Sequence, residues 1–144
     1  MKTWMKIALG LLIIGIIGLI YVYKYVYNKP HLDVENTKAE FSMKAQDLYN
    51  EFKQNKDASG LKYNGKVIEI EGSLKKIEQT DSLTVAVFSY EEGMFGDQGV
   101  RCTFLPGQVA KAKSLGEGTI VKLKGYCTGF NDTDIIFEKT SIVN

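Results

Sequence analysis

The chain holds one histidine, one arginine and two cysteines, and each scarcity removes a class of chemistry. His31 sits just past a long uncharged run, in a segment read as a tether, out of reach of anything folded downstream. No Ser/His or Cys/His pair can then be assembled, which excludes the commonest activated nucleophiles. Cys102 and Cys127, with no histidine near them, do not complete a tetrahedral metal site, so neither a metal nor a cofactor is expected. A reader of phosphates or nucleic acid uses several guanidinium groups, and Arg101 stands alone. Residues 1–27 carry Lys2, Lys6 and Lys24 and no acid, leaving 15 basic against 17 acidic residues, a net charge of −2, for residues 28–144. Such a domain is no electrostatic trap for phosphates.

What is present first is apolar length. Residues 7–23, IALGLLIIGIIGLIYVY, contain no charge, and Tyr25–Tyr27 extends the run past Lys24. Residues 7–27 at about 1.5 Å each span roughly 30 Å, the thickness of a bilayer's hydrocarbon core. Residues 1–27 are therefore read as a single-pass membrane anchor. A removed signal peptide would need small residues near its cleavage site, and here the run is followed by YVYKYVYNKP. Trp4 at one end and Tyr21, Tyr23, Tyr25 and Tyr27 at the other suit the two interfaces, with Lys24 snorkelling outward. A slight excess of positive charge before the helix puts the N-terminus in the cytoplasm and the domain outside the inner (cell) membrane. Gly10, Gly15 and Gly18 are spaced by five and three, so the anchor lacks the GxxxG dimer spacing and gives no oligomeric state.

Residues 28–37 read as a tether, and residues 38–144 as the folded domain. Thr37-Lys38-Ala39-Glu40 matches a capping box, predicting an amphipathic helix over 38–56 with Phe41, Ala45, Leu48 and Phe52 in one stripe. Tyr63–Ile77 then reads as a long strand with Ile68, Ile70, Gly72 and Leu74 on one face. Its phase slips at Lys75 and Lys76, as at a β-bulge, and Gly72 would let the backbone bend nearby. Alternation predicts a second strand over 83–88, a third over 99–105 and a fourth over 119–127, with a last strand over 134–143 whose phase is not settled. Residues 89–99 read as the longest loop, and Gln108–Leu115 as a short helix between the third and fourth strands. The expected fold is mainly β: a closed five-stranded OB-fold Greek-key barrel with an N-terminal helix.

Three pieces, YNGKVIEIEGSLKKI, VRCTF and LGEGTIVKLKGYCTGF running into DIIFEKTSIVN, resemble the tRNA-anti-like family of OB-fold domains over residues 38–143. The motifs are structural: Gly65-Lys66 opening the first strand, Leu115-x-x-Gly118 before the fourth, and Gly125-x-Cys127-x-Gly129 at its end. The resemblance implies a small bacterial domain, often carried behind a membrane anchor or export signal, and kinship with anticodon-binding OB domains. It brings no catalytic residue. Members often carry a further cysteine near the last strand, where this chain has Lys139-Thr140-Ser141, which weakens any three-cysteine site.

Cys102 and Cys127 are both in phase with apolar neighbours and should point inward; a disulfide between them and two buried free thiols both stay open. Asp132 and Asp134 flank a turn and are read as turn chemistry. Glu91, Glu92 and Asp97 lack calcium-loop spacing and are read as a solvated acidic loop. The candidate ligand-binding residues are Tyr90, Phe95, Tyr126 and Phe130, aromatic and in loops or on outward positions, together with Lys122 and Lys124 beside Tyr126. Packing of the rings on the domain and simple wetting of the lysines are the competing readings. The expected role is a non-catalytic, membrane-anchored module binding a protein partner or small ligand outside the cytoplasm. Single-stranded nucleic acid is the alternative, disfavoured by charge.

Overall fold

The computed structural model describes residues 2–27 and 33–143. The expected tether residues 28–32, with His31, lie outside the described residues. The chain divides into two compact units, Met1–Leu32 and Asp33–Asn144.

In the first unit, helix α1 (Thr3–Val22) runs on into a π-helical turn, Tyr23–Tyr27. The apolar stretch Thr3–Val26 counts 24 residues at mean hydropathy 2.4, none of it buried. At about 1.5 Å per residue it reaches roughly 36 Å, long and apolar enough to cross a membrane. Tyr21 and Tyr25 stack at 4.7 Å near its end.

The second unit starts earlier than the sequence suggests. Asp33 accepts hydrogen bonds from the backbone and side-chain nitrogens of Asn36, and its carbonyl accepts from the Thr37 hydroxyl. Val34 is buried, so residues 33–37 are part of the folded unit. With its hydroxyl engaged there, Thr37 caps no helix. Phe41–Lys44 forms strand β1 instead, which corrects the expected helix start. Phe41 and Met43 alternate with Ser42 and Lys44, a period of two, and the segment pairs parallel with strand β2 (Val67–Ser73) through Phe41↔Ile68 and Met43↔Ile70. Helix α2 (Ala45–Gln54) keeps the rest of the stripe, burying Ala45, Leu48, Tyr49 and Phe52. Asn55 then caps a second helix, α3 (Lys56–Tyr63), accepting from the Ala58 amide at 3.1 Å, and Gly60 lies inside that helix rather than ending the first.

The remaining elements are β3 (Lys76–Gln79), β4 (Thr84–Gly93), β5 (Gly96–Phe104), a 3₁₀ turn at Pro106–Gln108, α4 (Val109–Lys113), β6 (Ile120–Phe130) and β7 (Ile135–Ile142). Among the described residues the strands form one seven-stranded sheet in the order β1-β2-β6-β7-β5-β4-β3. The hydrogen-bonded order is open, with β1 and β3 at its ends. This corrects the closed five-stranded barrel: β1 is added, and the long first strand is broken into β2 and β3 where the phase slip was expected. The β5–β7 pair is parallel and the other pairs from β2 onward are antiparallel.

The apolar faces converge on one core, with Ile68, Ile70, Leu74, Phe88, Val100, Phe104, Leu123, Ile135 and Phe137 buried. Burying each large side chain contributes about 1.5–3 kcal/mol, before the entropy of ordering it is set against that gain. The last strand's phase now has an explanation. Lys139, at φ 53°, and Thr140 together oppose Gly125, so the inward set shifts from Ile135 and Phe137 to Thr140 and Ile142. Residues 89–99 are not a loop but the outer part of a β4–β5 ribbon, paired as far as Gly93↔Gly96. Its residues lack apolar periodicity because much of the ribbon lies beyond the core.

At Gly99 the ribbon leaves no room for a side chain, since a Cβ there would lie 1.9 Å from the Phe88 carbonyl oxygen. Gly99→Ala should destabilise the unit by about 2–3 kcal/mol, whereas Gly107→Ala, which faces open space, should stay within about 0.5 kcal/mol. Urea unfolding of the full chain in mild detergent, followed by near-ultraviolet circular dichroism, measures both.

Candidate functional site

Outward from the core, β3, β4, β5 and β7 present a face centred on Arg101, whose register neighbours are Val87 on one side and Ile136 on the other. The arginine is fixed by two carboxylates. One guanidinium nitrogen donates to Glu78 at 2.7 Å and Nε donates to Asp134 at 3.2 Å. Lys76 closes the set at 3.0 Å from Glu78. The hydrogen bond from Lys76, with that from Arg101 behind it, holds the Glu78 carboxyl below its ordinary value.

Asp134 is only 8% exposed and also accepts from the Gly99 amide at 2.9 Å, so it joins the middle of the β4–β5 ladder to the start of β7. Asn131 holds the turn that aims it, accepting from the amides of Thr133 and Asp134. Asp132, at φ 74°, points elsewhere and pairs with Lys56 at 2.7 Å. The two turn carboxylates thus have different partners and do not form an acid/base pair.

The six candidate binding residues fall in three places rather than one. Lys122, Lys124 and Tyr126 follow one another along β6, opposite Glu71, Glu69 and Val67 of β2. Lys122 lies 3.8 Å from Glu69 and 3.7 Å from Glu71, while Lys124 donates to the Glu35 carbonyl at 2.8 Å. Cross-strand pairs of this exposed kind contribute roughly 0.2–1 kcal/mol each, and they leave the strip with little net charge.

Tyr90 and Phe130 have been taken up by α2. The Tyr49 ring sits 5.8 Å from Tyr90 and 6.3 Å from Phe130, and Phe52 sits 5.7 Å from Phe130. Tyr90 is the extra residue where the β4–β5 register shifts between Ser89 and Glu91, and such a bulge re-aims a side chain. Its hydroxyl occupies the space beside Gly72, where a Cβ would come within 2.8 Å of it. Gly72 therefore makes room for a ring, a role that its place in the strand pattern does not reveal. Burial pushes the Tyr90 phenol up to about 12, with the nearby Cys102 and Asp47 adding to the effect.

Phe95 alone among the candidate rings is almost fully exposed. It stands at the tip of the β4–β5 ribbon, 97% exposed, beside Met94 at 94%. Sequence reasoning missed Met94, although MF between two glycines inside an acidic stretch is a visible signal.

Both cysteines are buried free thiols. Cys102 of β5 and Cys127 of β6 each pair with Phe137 of β7, so they flank it from opposite sides. Two strand spacings put their backbones roughly 10 Å apart in a flat sheet, and a bridge needs about 7 Å or less. The candidate disulfide is not made in this arrangement. Burial pushes both thiols up, that of Cys127 to about 12, which suits two small core residues rather than nucleophiles.

A family model described as tRNA_anti-like matches residues 1–142, so the match takes in the apolar helix as well as the domain. Among solved structures, a lipoprotein from Klebsiella pneumoniae subsp. pneumoniae MGH 78578, described as a candidate nucleic acid-binding protein, is similar at TM-score 0.58 and 15% identity. That likeness covers 81% of this chain and 100% of the other, and it extends to an OB-like fold. The yeast Stn1 and Ten1 structure matches at TM-score 0.40 and 14% identity, over 76% of this chain and 65% of that one. No curated protein matches the chain.

The raised thiols fix a pH dependence. A buried neutral thiol stabilises the fold fully below its unfolded value near 9, and that stability is lost as pH rises toward about 12. Unfolding free energy should be flat up to pH 8 and fall by about 1.4 kcal/mol per thiol by pH 10. Urea titrations of the full chain at pH 7, 8.5 and 10 measure this, and Cys127→Ala should show a lower plateau with a shallower decline.

Proposed function

Because the chain belongs to the tRNA_anti-like family, we propose that its second unit is a non-catalytic OB-type module that recognises a protein partner or a small ligand, held at a membrane by α1. Strand order supports the OB reading. When β2 and β3 are taken as one bent strand, its two halves pair with β6 and β4, and β7 lies between β5 and β6, the sequence of neighbours in a small Greek-key barrel.

The observation that carries the choice of ligand is the pairing of the cations. Arg101 meets Glu78 and Asp134, Lys76 shares Glu78, Lys122 lies between Glu69 and Glu71, and Lys53 meets Glu91 at 3.2 Å. OB domains that bind single strands combine a basic groove with stacking rings. Here two of the four candidate rings pack with α2, and the domain carries −2. The non-catalytic reading rests on the same bookkeeping: Asp132 and Asp134 are engaged separately, and both thiols are held protonated by burial. The Klebsiella lipoprotein's description motivates single-stranded nucleic acid as the second reading.

For the membrane, α1 is read as an uncleaved anchor in the inner membrane, with Lys2 and Lys6 on the cytoplasmic side and the OB-type unit outside.

Fluorescence anisotropy with a labelled single-stranded 20-mer should show no binding below about 10 µM at 50 mM salt. Tight binding that falls about 10³-fold or more by 200 mM salt would make nucleic acid the ligand instead. Chymotrypsin added outside intact host cells should cut the chain at Phe95, and complete protection until lysis would place the unit in the cytoplasm.

A further inference from the structure

The ribbon beyond the core has a composition of its own. Its tip residues, Met94 and Phe95, are 94% and 97% exposed, whereas Tyr90 on β4 and Phe130 on β6 pack against α2. Directly beneath the tip, Glu92 opposes Asp97 across the ladder, and Glu91 opposes Gln98. Like charges placed opposite one another destabilise a ribbon, so the pair exists at a cost to folding. The ribbon is nonetheless held firmly at its base. Lys53 of α2 grips Glu91 at 3.2 Å, the Ser89 hydroxyl donates to Asp97 at 3.0 Å, and Tyr90 is seated beside Gly72. A fully exposed apolar knob on a pre-ordered stem is what an interface anchor requires, since little conformational freedom remains to be lost on binding.

The collar beneath the knob selects the occupant. Carboxylates on both strands repel phosphates, whether of nucleic acid or of an anionic lipid surface, and attract lysine and arginine. We propose that the Met94-Phe95 tip is the docking element of this chain, inserting into an apolar pocket of a protein whose rim is basic. This rests on the binding-module reading above and names the surface and the partner's chemistry. Glu92 and Asp97 supply the long-range attraction, and Phe95 supplies the buried contact.

The test places p-benzoylphenylalanine at position 95 of the full membrane-bound chain in host cells, with the same probe at Thr103, on a different part of β5, as comparison. Irradiation should give one discrete protein adduct from position 95, with the cross-linked peptide flanked by lysine or arginine. Its yield should drop about tenfold with Glu92→Lys and about threefold with Glu92→Gln. Both changes are on an exposed side chain and relieve the repulsion with Asp97, so the unfolding curve should not shift to lower urea. An adduct to phospholipid, or a protein adduct insensitive to Glu92→Lys, overturns the proposal. An adduct from position 103 but none from position 95 overturns the tip and leaves the binding module standing. Silence at both positions, together with salt-steep oligonucleotide binding, overturns both.

Discussion

Two successive residues hold the second unit's sheet in its shape. The Leu74 amide donates to Thr119 at 2.9 Å and its carbonyl accepts from Gly118 at 2.7 Å, while the Lys75 amide donates to Val87 at 2.9 Å. One dipeptide is thereby bonded to the approach of β6 on one side and to β4 on the other. The strand that begins beside β6 as β2 must leave as β3 beside β4, which obliges the sheet to curl over its apolar face. The buried Leu74 side chain, 1% exposed, fixes the dipeptide from inside.

A curled sheet leaves one mouth of its core uncovered, and α2 fills it. Leu48, Tyr49 and Phe52 enter from above, and Tyr90 and Phe130 rise to meet them. Two of the four rings that composition alone would assign to a ligand, Tyr90 and Phe130, are thus consumed in closing the fold. What remains at the surface is charge, part of it paired across strands, and a few exposed apolar side chains, with Met94 and Phe95 adjacent at the ribbon tip. The electrostatic character of the unit follows from where the carboxylates stand, not from how many there are: Glu78 and Asp134 reach Arg101 from different strands.

Much of this was legible from residue pattern. Period-two alternation located β2, β5 and β6, and the slip at Lys75 and Lys76 marked the break between β2 and β3. The local signals failed where a distant partner decided the outcome. Phe41 fits a helix stripe and a strand equally well, and only the neighbouring edge of β2 chooses the strand. The Thr37 capping signature was overridden because Asp33, four residues earlier, offered a carbonyl. The last strand could not be phased because its bulge at Lys139 answers to Gly125, on another strand. Of the candidate site, the residue types were visible and their company was not. Nothing near Tyr90 in sequence announces Tyr49, and nothing near Arg101 announces Glu78. The separation of Cys102 from Cys127 by Phe137 is a fact of strand order alone.

The contact between Gly72 and the Tyr90 hydroxyl has an evolutionary side. Position 72 can gain a side chain only if position 90 has first surrendered its hydroxyl or its ring, and Phe88 and Ala45 crowd the same spot at 3.2 and 3.3 Å. The order of substitutions is therefore constrained, and the two sites form an epistatic pair across β2 and β4. Related chains that carry alanine or serine at the position of Gly72 should carry a smaller residue at that of Tyr90, leaving the mouth of the core to be refilled from α2.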